Sequence, residues 1–278
     1  MSVIAISGAS GFVGTYLQDY FYGKDIKVIV IKRTDLGDGE VLQEKIDKAD
    51  VIINLAGANI IQRWSKSHKK KMYRSRINST KSLVDAINAS EKEQLLISTS
   101  AIGIYENDIV MDEEDFVYGQ TFLTDLCKDW EQEASKVEKK LAIFRFGVIL
   151  GEGGALKKML PPFKLGLGGV IGDGKQPFSC IHIEDLARAY TYVIEQKLEG
   201  IFNLTSPNVT SNEHFSKALA KNLHRPAFIP VPVFALKLLF GEGAQVLSDG
   251  QRVVPKRLLD SGFVFKYADV ETILEDLL

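Results

Sequence analysis

The run GASGFVG at residues 8–14 constrains this chain more than any other feature. It follows SVIAIS, a short apolar run of strand type. It precedes a stretch in which Phe12, Val13, Tyr16, Leu17, Tyr20 and Phe21 recur at helical spacing. Glycines at 8, 11 and 14 allow a sharp turn whose backbone N–H groups, together with the helix N-terminus, face an anion at close range. Gly8, Ser10, Gly11, Phe12, Val13 and Gly14 are therefore candidate contacts for the pyrophosphate of a dinucleotide. A strand–turn–helix of this kind at the front of a chain predicts an α/β fold.

The residues that follow support that prediction. Apolar runs of strand type at 2–7, 27–31, 50–55, 94–99 and 141–146 alternate with helical periodicity at 12–22, 66–89 and 121–138. This alternation predicts a Rossmann-type, doubly wound parallel sheet. Past residue 147 the texture changes to a glycine-rich segment containing Pro161-Pro162, with a short helix near 155–166. Then come strand-plus-helix IHIEDLARAYTYVIEQ, strand GIFNLTS and a mainly helical tail, in which Gly262 and FVFKY precede a helix starting near Asp269. The expected organisation is a nucleotide-binding domain over 1–150, with 181–206 returning to its sheet. A smaller, mainly helical substrate-binding region covers 151–278.

The end of the second strand selects the nucleotide. An acid there accepts from a ribose 2′-hydroxyl, whereas a cation suits a 2′-phosphate. The strand ends Ile31-Lys32-Arg33, with Asp35 two residues on. Lys32 and Arg33 offer a charge and a planar fork to phosphate, which favours NADP.

Composition excludes other classes. The 278-residue chain carries a net charge of −2, so no overall field attracts nucleic acid or an anionic membrane, and the lysine-rich run 66–76 reads as a solvated helix face. Cys127 and Cys180 lie far apart, and the four histidines show no metal-ligand spacing. No signal-peptide pattern or spanning apolar run is evident, so a cytoplasmic protein without membrane partners is expected.

GASGFVG, NLAG at 54–57 and STSAIGIY at 98–105 resemble the extended short-chain dehydrogenase/reductases. Further matches are RW at 63–64, SRINSTKSLV at 75–84, LCKDWE at 126–131, MLPPFKLGLGGVIGDGKQ at 159–176, IHIEDLA at 181–187 and GQRVVPKRLLDSGFVF at 250–265. Together they are similar to an atypical, epimerase-like subgroup with a C-terminal domain of unknown function, whose members are sometimes labelled cell-division inhibitors. The resemblance implies that Leu55, Ala56, Gly57, Ser98 and Val148 join the NADP contacts, and that Ser100 is the superfamily's catalytic serine. It also implies losses. Leu123 and Cys127 stand where the Tyr and Lys of the Tyr-x-x-x-Lys pair would be, Arg76 replaces an Asn, and Gly147 stands where sugar-nucleotide epimerases commonly have an Asn. With only residues 34–50 between Arg33 and Val51, one strand is shortened or lost.

These departures leave open two functions. One is an NADP-dependent oxidoreductase or epimerase-like enzyme acting on an unknown small carbonyl or hydroxyl compound. The other is an inert NADP(H)-binding sensor that works through a protein partner. For the enzyme, Tyr105 is a candidate proton donor beside Ser100, and Arg76 a substitute cation at the cofactor. Lys175, Gln176, Phe178, Gln251 and Arg252 are candidate substrate contacts. His182 reads as a core histidine, DEED at 112–115 as a solvated acidic turn, and Cys127 as a packed thiol. The chain is expected to be a monomer or a homodimer.

Overall fold

The computed structural model describes residues 2–227 and 229–278. Strands β1 (Val3–Ser7), β2 (Lys27–Ile31), β3 (Val51–Asn54), β4 (Leu95–Ala101), β5 (Lys140–Phe146) and β6 (Gly200–Leu204) form one sheet in the order β6-β5-β4-β3-β1-β2. Every pairing in it is parallel. The register pairs Ser7 with Ile31 and Asn54, Asn54 with Ser98, and Phe146 with Ala101 and Leu204, so the carboxyl ends share one edge. In a doubly wound sheet that edge is where ligands bind. The edge strand β2 has no further neighbour among the described residues, consistent with a strand shortened or lost from residues 34–50.

The strands are mainly apolar because both faces are covered. Ile4, Ile6, Val51, Ile53, Leu95 and Ile97 turn to one face, with Leu17 and Phe21 of α1 (Phe12–Tyr22). Ala5, Ile52 and Leu96 alternate to the other face, against Leu42 and Ile46 of α2 (Gly39–Lys48) and Leu83, Val84 and Ile87 of α3 (Lys66–Ala89). Helix α2 is absent from the sequence reading. Its signals are short-range: Asp38 caps it by accepting from Val41 N at 3.2 Å, and only Leu42 and Ile46 face inward. Helix α4 (Phe122–Ala134) ends four residues before the predicted position, capped by Ser135.

After β5, helix α5 (Gly154–Lys164) leads away from the sheet, and α6 (Ile183–Glu195) and β6 return to it. The tail adds α7 (Asn212–Asn222), α8 (Val233–Phe240), α9 (Gln245–Ser248), α10 (Lys256–Asp260) and α11 (Val270–Leu277). Phe163, Phe215, Leu219, Ile273 and Leu274 form a second core around α5, α7 and α11. Asp185 of IHIEDLA ties the tail to α6: its buried carboxylate accepts from Lys266 N at 3.0 Å and Tyr267 N at 2.8 Å. The stretch FVFKY is irregular chain, and Asp269 caps α11 by accepting from Thr272 N at 2.9 Å.

Candidate active site

The glycine turn is shaped by sterics. Gly8 has φ +72°, and a Cβ there would lie 2.6 Å from the Leu55 carbonyl; one at Gly14 would lie 2.5 Å from Gly8 O. Gly11 is different: its Cβ would meet only Gly8 O at 3.3 Å, so its bareness faces outward. Gly11 is the N-cap of α1 and provides no side-chain cap, leaving the first N–H groups of the helix for a ligand. Beside the turn, Asn54 Oδ1 accepts from Ser7 Oγ at 2.8 Å and from Ala56 N at 3.3 Å. Asn54 Nδ2 donates to Thr80 Oγ1 at 2.8 Å, which also accepts from Trp130 Nε1 at 2.8 Å. This buried network fixes NLAG against GASGFVG.

A cavity of about 450 Å³ opens above the turn. Of the expected contacts, Gly8, Gly11, Phe12, Val13, Gly14, Leu55, Gly57, Arg76, Ser100 and Val148 line it. Ser10 and Ala56 stay in the turn and the neighbouring loop without reaching the cavity, and Ser98 is buried in the sheet with its hydroxyl unpartnered. Lys32 and Arg33 lie outside the cavity, exposed at the end of β2. Asp35, the acid near that strand end, is already occupied. It accepts from Lys32 N at 2.7 Å and pairs with Lys45 at 2.6 Å, and the Lys45 contact holds its carboxyl below the usual range. The exposed groups left there for a ribose phosphate are cations.

Ser100 begins a buried chain of polar groups. Its Oγ donates to Glu131 Oε1 at 2.7 Å. Both Glu131 oxygens are held by Arg145, through Nε at 2.8 Å and Nη2 at 2.7 Å. Arg145 Nη1 donates to the Tyr105 hydroxyl at 2.7 Å, which donates onward to Asn203 Oδ1 at 2.7 Å. Arg145 has no exposed surface, and its guanidinium also lies over the Tyr105 and Phe116 rings. Burial opposes its charge, but the Glu131 contacts and Tyr105 hold it above its ordinary range. The sequence reading assigned no role to Glu131 or Arg145, whose ion pair backs Ser100.

This chain corrects two expectations. Tyr105 is not a proton donor to the cavity: it is 1% exposed, does not line the cavity, and its hydroxyl is spent between Arg145 and Asn203. Burial drives its pKa up to about 12 despite the lowering effect of Arg145. Nor is DEED wholly a solvated turn. Glu113 is buried and accepts from Asn203 N at 2.7 Å and Arg257 N at 3.2 Å, and burial raises its pKa.

Leu123 and Cys127 line the cavity on the α4 face toward Ser100. The Cys127 thiol is buried, and burial together with the Glu131 carboxylate pushes it up to about 11, so it is neutral at pH 7. The cation at this end comes from α3. Arg76 packs on Gly57, 3.1 Å from where its Cβ would stand, and over the Trp130 ring at 5.1 Å. It donates to Met72 O at 3.2 Å and Ala58 O at 3.1 Å, no carboxylate pairs with it among the described residues, and burial lowers its pKa. A guanidinium held by carbonyls alone keeps its charge uncompensated beside the glycine turn. Gly147 also lines the cavity, but a Cβ there would lie 2.6 Å from Ser179 O, so no larger side chain fits.

On the far side, Gln176, Phe178 and Gln251 line the cavity as expected, whereas Lys175 and Arg252 are exposed and do not. His182 caps α6 by accepting from Glu184 N at 3.1 Å, stacks on Tyr267, and is held below its usual pKa mainly by burial. No helix among the described residues is long and apolar enough to cross a membrane, and no His, Cys, Asp and Glu cluster suited to a metal occurs among them.

A model of the NAD dependent epimerase/dehydratase family matches residues 4–205, the whole sheet and its glycine turn. The chain belongs to that family. A second model, a domain of unknown function (DUF1731), matches residues 231–277. Within the family, the chain is 35% identical to epimerase family protein YfhF of Bacillus subtilis, over 99% of this chain and 97% of that protein. It superposes on the crystal structure of human epimerase family protein SDR39U1 (isoform 2) with NADPH at a TM-score of 0.89 and 29% identity, covering 99% of this chain and 98% of that one. A dTDP-4-dehydrorhamnose reductase of Bacillus anthracis in complex with NADP superposes at a TM-score of 0.80 and 16% identity, over 99% and 98% of the two chains, a likeness of fold. This family member thus has the parallel sheet and helical C-terminal region that its sequence predicts.

Proposed function

We propose that this epimerase-family chain binds NADP(H) along Gly8–Gly14, and that it is an oxidoreductase for a small carbonyl or hydroxyl compound. The observation that carries this reading is the single cavity floored by the glycine turn, with Ser100 in its wall and the C-terminal region closing its far side. The NADPH in the human SDR39U1 crystal structure supports the choice of cofactor, as do Lys32 and Arg33 beside an Asp35 already paired with Lys45. The cofactor supplies hydride transfer. The chain supplies the rest: α1 N–H groups and Arg76 for the phosphates, and Ser100 for the substrate oxygen.

The wiring of Ser100 sets what it does. Its proton points to Glu131, so its lone pairs are left to accept from a substrate hydroxyl. As the substrate hydroxyl yields its proton to Ser100 Oγ, the Ser100 proton passes to Glu131 Oε1, and the reverse path returns it for carbonyl reduction. Arg145 keeps Glu131 oriented throughout. Ser100→Ala is expected to cut NADPH-dependent turnover by about 10²–10³-fold with NADPH affinity unchanged. Steady-state rates across a carbonyl panel, read beside a fluorescence titration, check this; undiminished turnover would remove Ser100 from the mechanism.

Arg33→Ala is expected to weaken NADPH by about tenfold while leaving NADH within about twofold, since only NADPH carries the 2′-phosphate. Equal losses for both would refute the assignment. A second reading, an NADP(H)-binding regulator without turnover, is favoured by one observation: neutral Leu123 and Cys127 occupy the wall where the superfamily resemblance places a Tyr and a Lys. Tight NADPH binding, no turnover on the whole panel, and a protein partner recovered only with cofactor would favour it.

A further inference from the structure

We infer that the substrate is a small, uncharged and largely apolar molecule, not a nucleoside-diphosphate conjugate or another anion. This deepens the proposed function and rests on NADP(H) occupying the glycine turn. The cavity wall contains a single cation, Arg76, and a single carboxylate, Asp249. Arg76 packs against Gly57 and over the Trp130 ring, and the proposed function commits it to the cofactor's phosphates. From there to the rim the wall is formed mainly by Ile60, Leu123, Met159, Ile171, Phe178 and Val246.

The polar side chains on that side are mainly amides, with the hydroxyls of Thr121 and Ser179. Gln251 Nε2 donates to Asn107 Oδ1 at 2.7 Å, which leaves Gln251 Oε1 and Asn107 Nδ2 as one acceptor and one donor. Gln176 Nε2 donates to Ile171 O at 3.1 Å, leaving its Oε1. Neighbouring cations are directed elsewhere: Arg63 donates to Leu238 O at 2.8 Å, Lys69 pairs with Glu242, and Lys175 and Arg252 stand in solvent. Asp249, the carboxylate in the wall, is exposed and accepts from Ser248 Oγ at 2.8 Å, so its charge opposes an incoming anion.

A second diphosphate would have to be buried against these side chains with no cation to balance it. Amide hydrogen bonds do not offset the desolvation of two phosphate charges. An uncharged ketone or alcohol carries no such cost. Its apolar body gains from burial against Phe178, Met159 and Ile171, and one oxygen reaches Ser100.

The test uses three probes on the full chain, with and without NADPH: 4-methylacetophenone, 4-acetylbenzoate of nearly the same shape, and UDP-glucose. Dissociation constants come from saturation-transfer NMR titrations. The neutral ketone is expected to bind at least tenfold more tightly than the benzoate, with no saturable binding of UDP-glucose. Asp249→Lys, an exposed position, is expected to bring the benzoate within about threefold of the ketone. Benzoate or UDP-glucose binding as tightly as the ketone, or no saturable ketone binding up to its solubility limit, would overturn the inference. NADPH affinity is measured separately by fluorescence. A chain that binds no NADPH sinks the cofactor reading, while the order of the probes on the unloaded chain still decides this one.

Discussion

Arg145→Ala is expected to lower the unfolding free energy by about 3–5 kcal/mol, because it removes one partner of a buried ion pair and leaves the other charged. Arg145 has no exposed surface, and Glu131 has no other cation among the described residues: its two oxygens face Arg145 Nε and Nη2 and the Ser100 hydroxyl. Tyr105 loses its charged donor in the same variant, keeping only Asn203. Urea unfolding with the slope held as a shared parameter measures the loss. The double variant Arg145→Met with Glu131→Leu is expected to recover most of it, since an apolar pair of similar volume carries no stranded charge. It is nonetheless expected to lose turnover to the same degree as Ser100→Ala, because Ser100 no longer has an acceptor for its proton. A double variant as unstable as Arg145→Ala would show that shape, not charge, dominates at this position.

The same residues show what the sequence could and could not reveal. The sheet was readable because each strand is mainly apolar on both faces and is bounded by glycine or polar breaks, signals confined to a few neighbouring residues. The cofactor floor was readable for the same reason, since GASGFVG acts through local backbone geometry. Helix α2 escaped because two inward residues, Leu42 and Ile46, make a weak period. The polar chain from Ser100 to Asn203 escaped because its partners come from β4, α4, β5 and β6, far apart in sequence. One signal was available. Arg145 lies inside LAIFRF, between Phe144 and Phe146, and a cation within an apolar central strand requires a buried acid. Glu113 was misread because a charged turn and a buried clamp have the same composition. Only the position of the Asn203 and Arg257 backbone N–H groups separates them.

These features bear on function together. Where the superfamily resemblance implies a Lys on the helix that follows Ser100, this chain has Cys127, pushed up to about 11 and uncharged. The cation has moved to α3 as Arg76, and the acceptor for the Ser100 proton is Glu131, one turn beyond Cys127 on the same α4. On the proposed reading, phosphate binding and proton handling then rest on different helices, α3 and α4.

The glycine turn gives the second large effect, and the three glycines should fail in different ways. At Gly8 an alanine must hold φ +72° and place its Cβ 2.6 Å from the Leu55 carbonyl; at Gly14 it must fit 2.5 Å from Gly8 O. Left-handed strain costs about 1–2 kcal/mol and forced overpacking about 1–3 kcal/mol. Gly8→Ala is therefore expected to destabilise the fold by about 2–5 kcal/mol, and Gly14→Ala by about 1–3 kcal/mol. Both should weaken NADPH because the turn itself is displaced. Gly11→Ala meets only Gly8 O at 3.3 Å, so its stability should remain within about 1 kcal/mol of the parent. Its Cβ instead occupies the place where an anion approaches the first N–H groups of α1, and NADPH affinity should fall by about tenfold or more. Thermal unfolding without ligand and NADPH fluorescence titration, run on all three variants, separate the two kinds of loss. If Gly11→Ala bound NADPH as well as the parent, the pyrophosphate would not lie over this turn. The cofactor assignment for the cavity would then have to be abandoned.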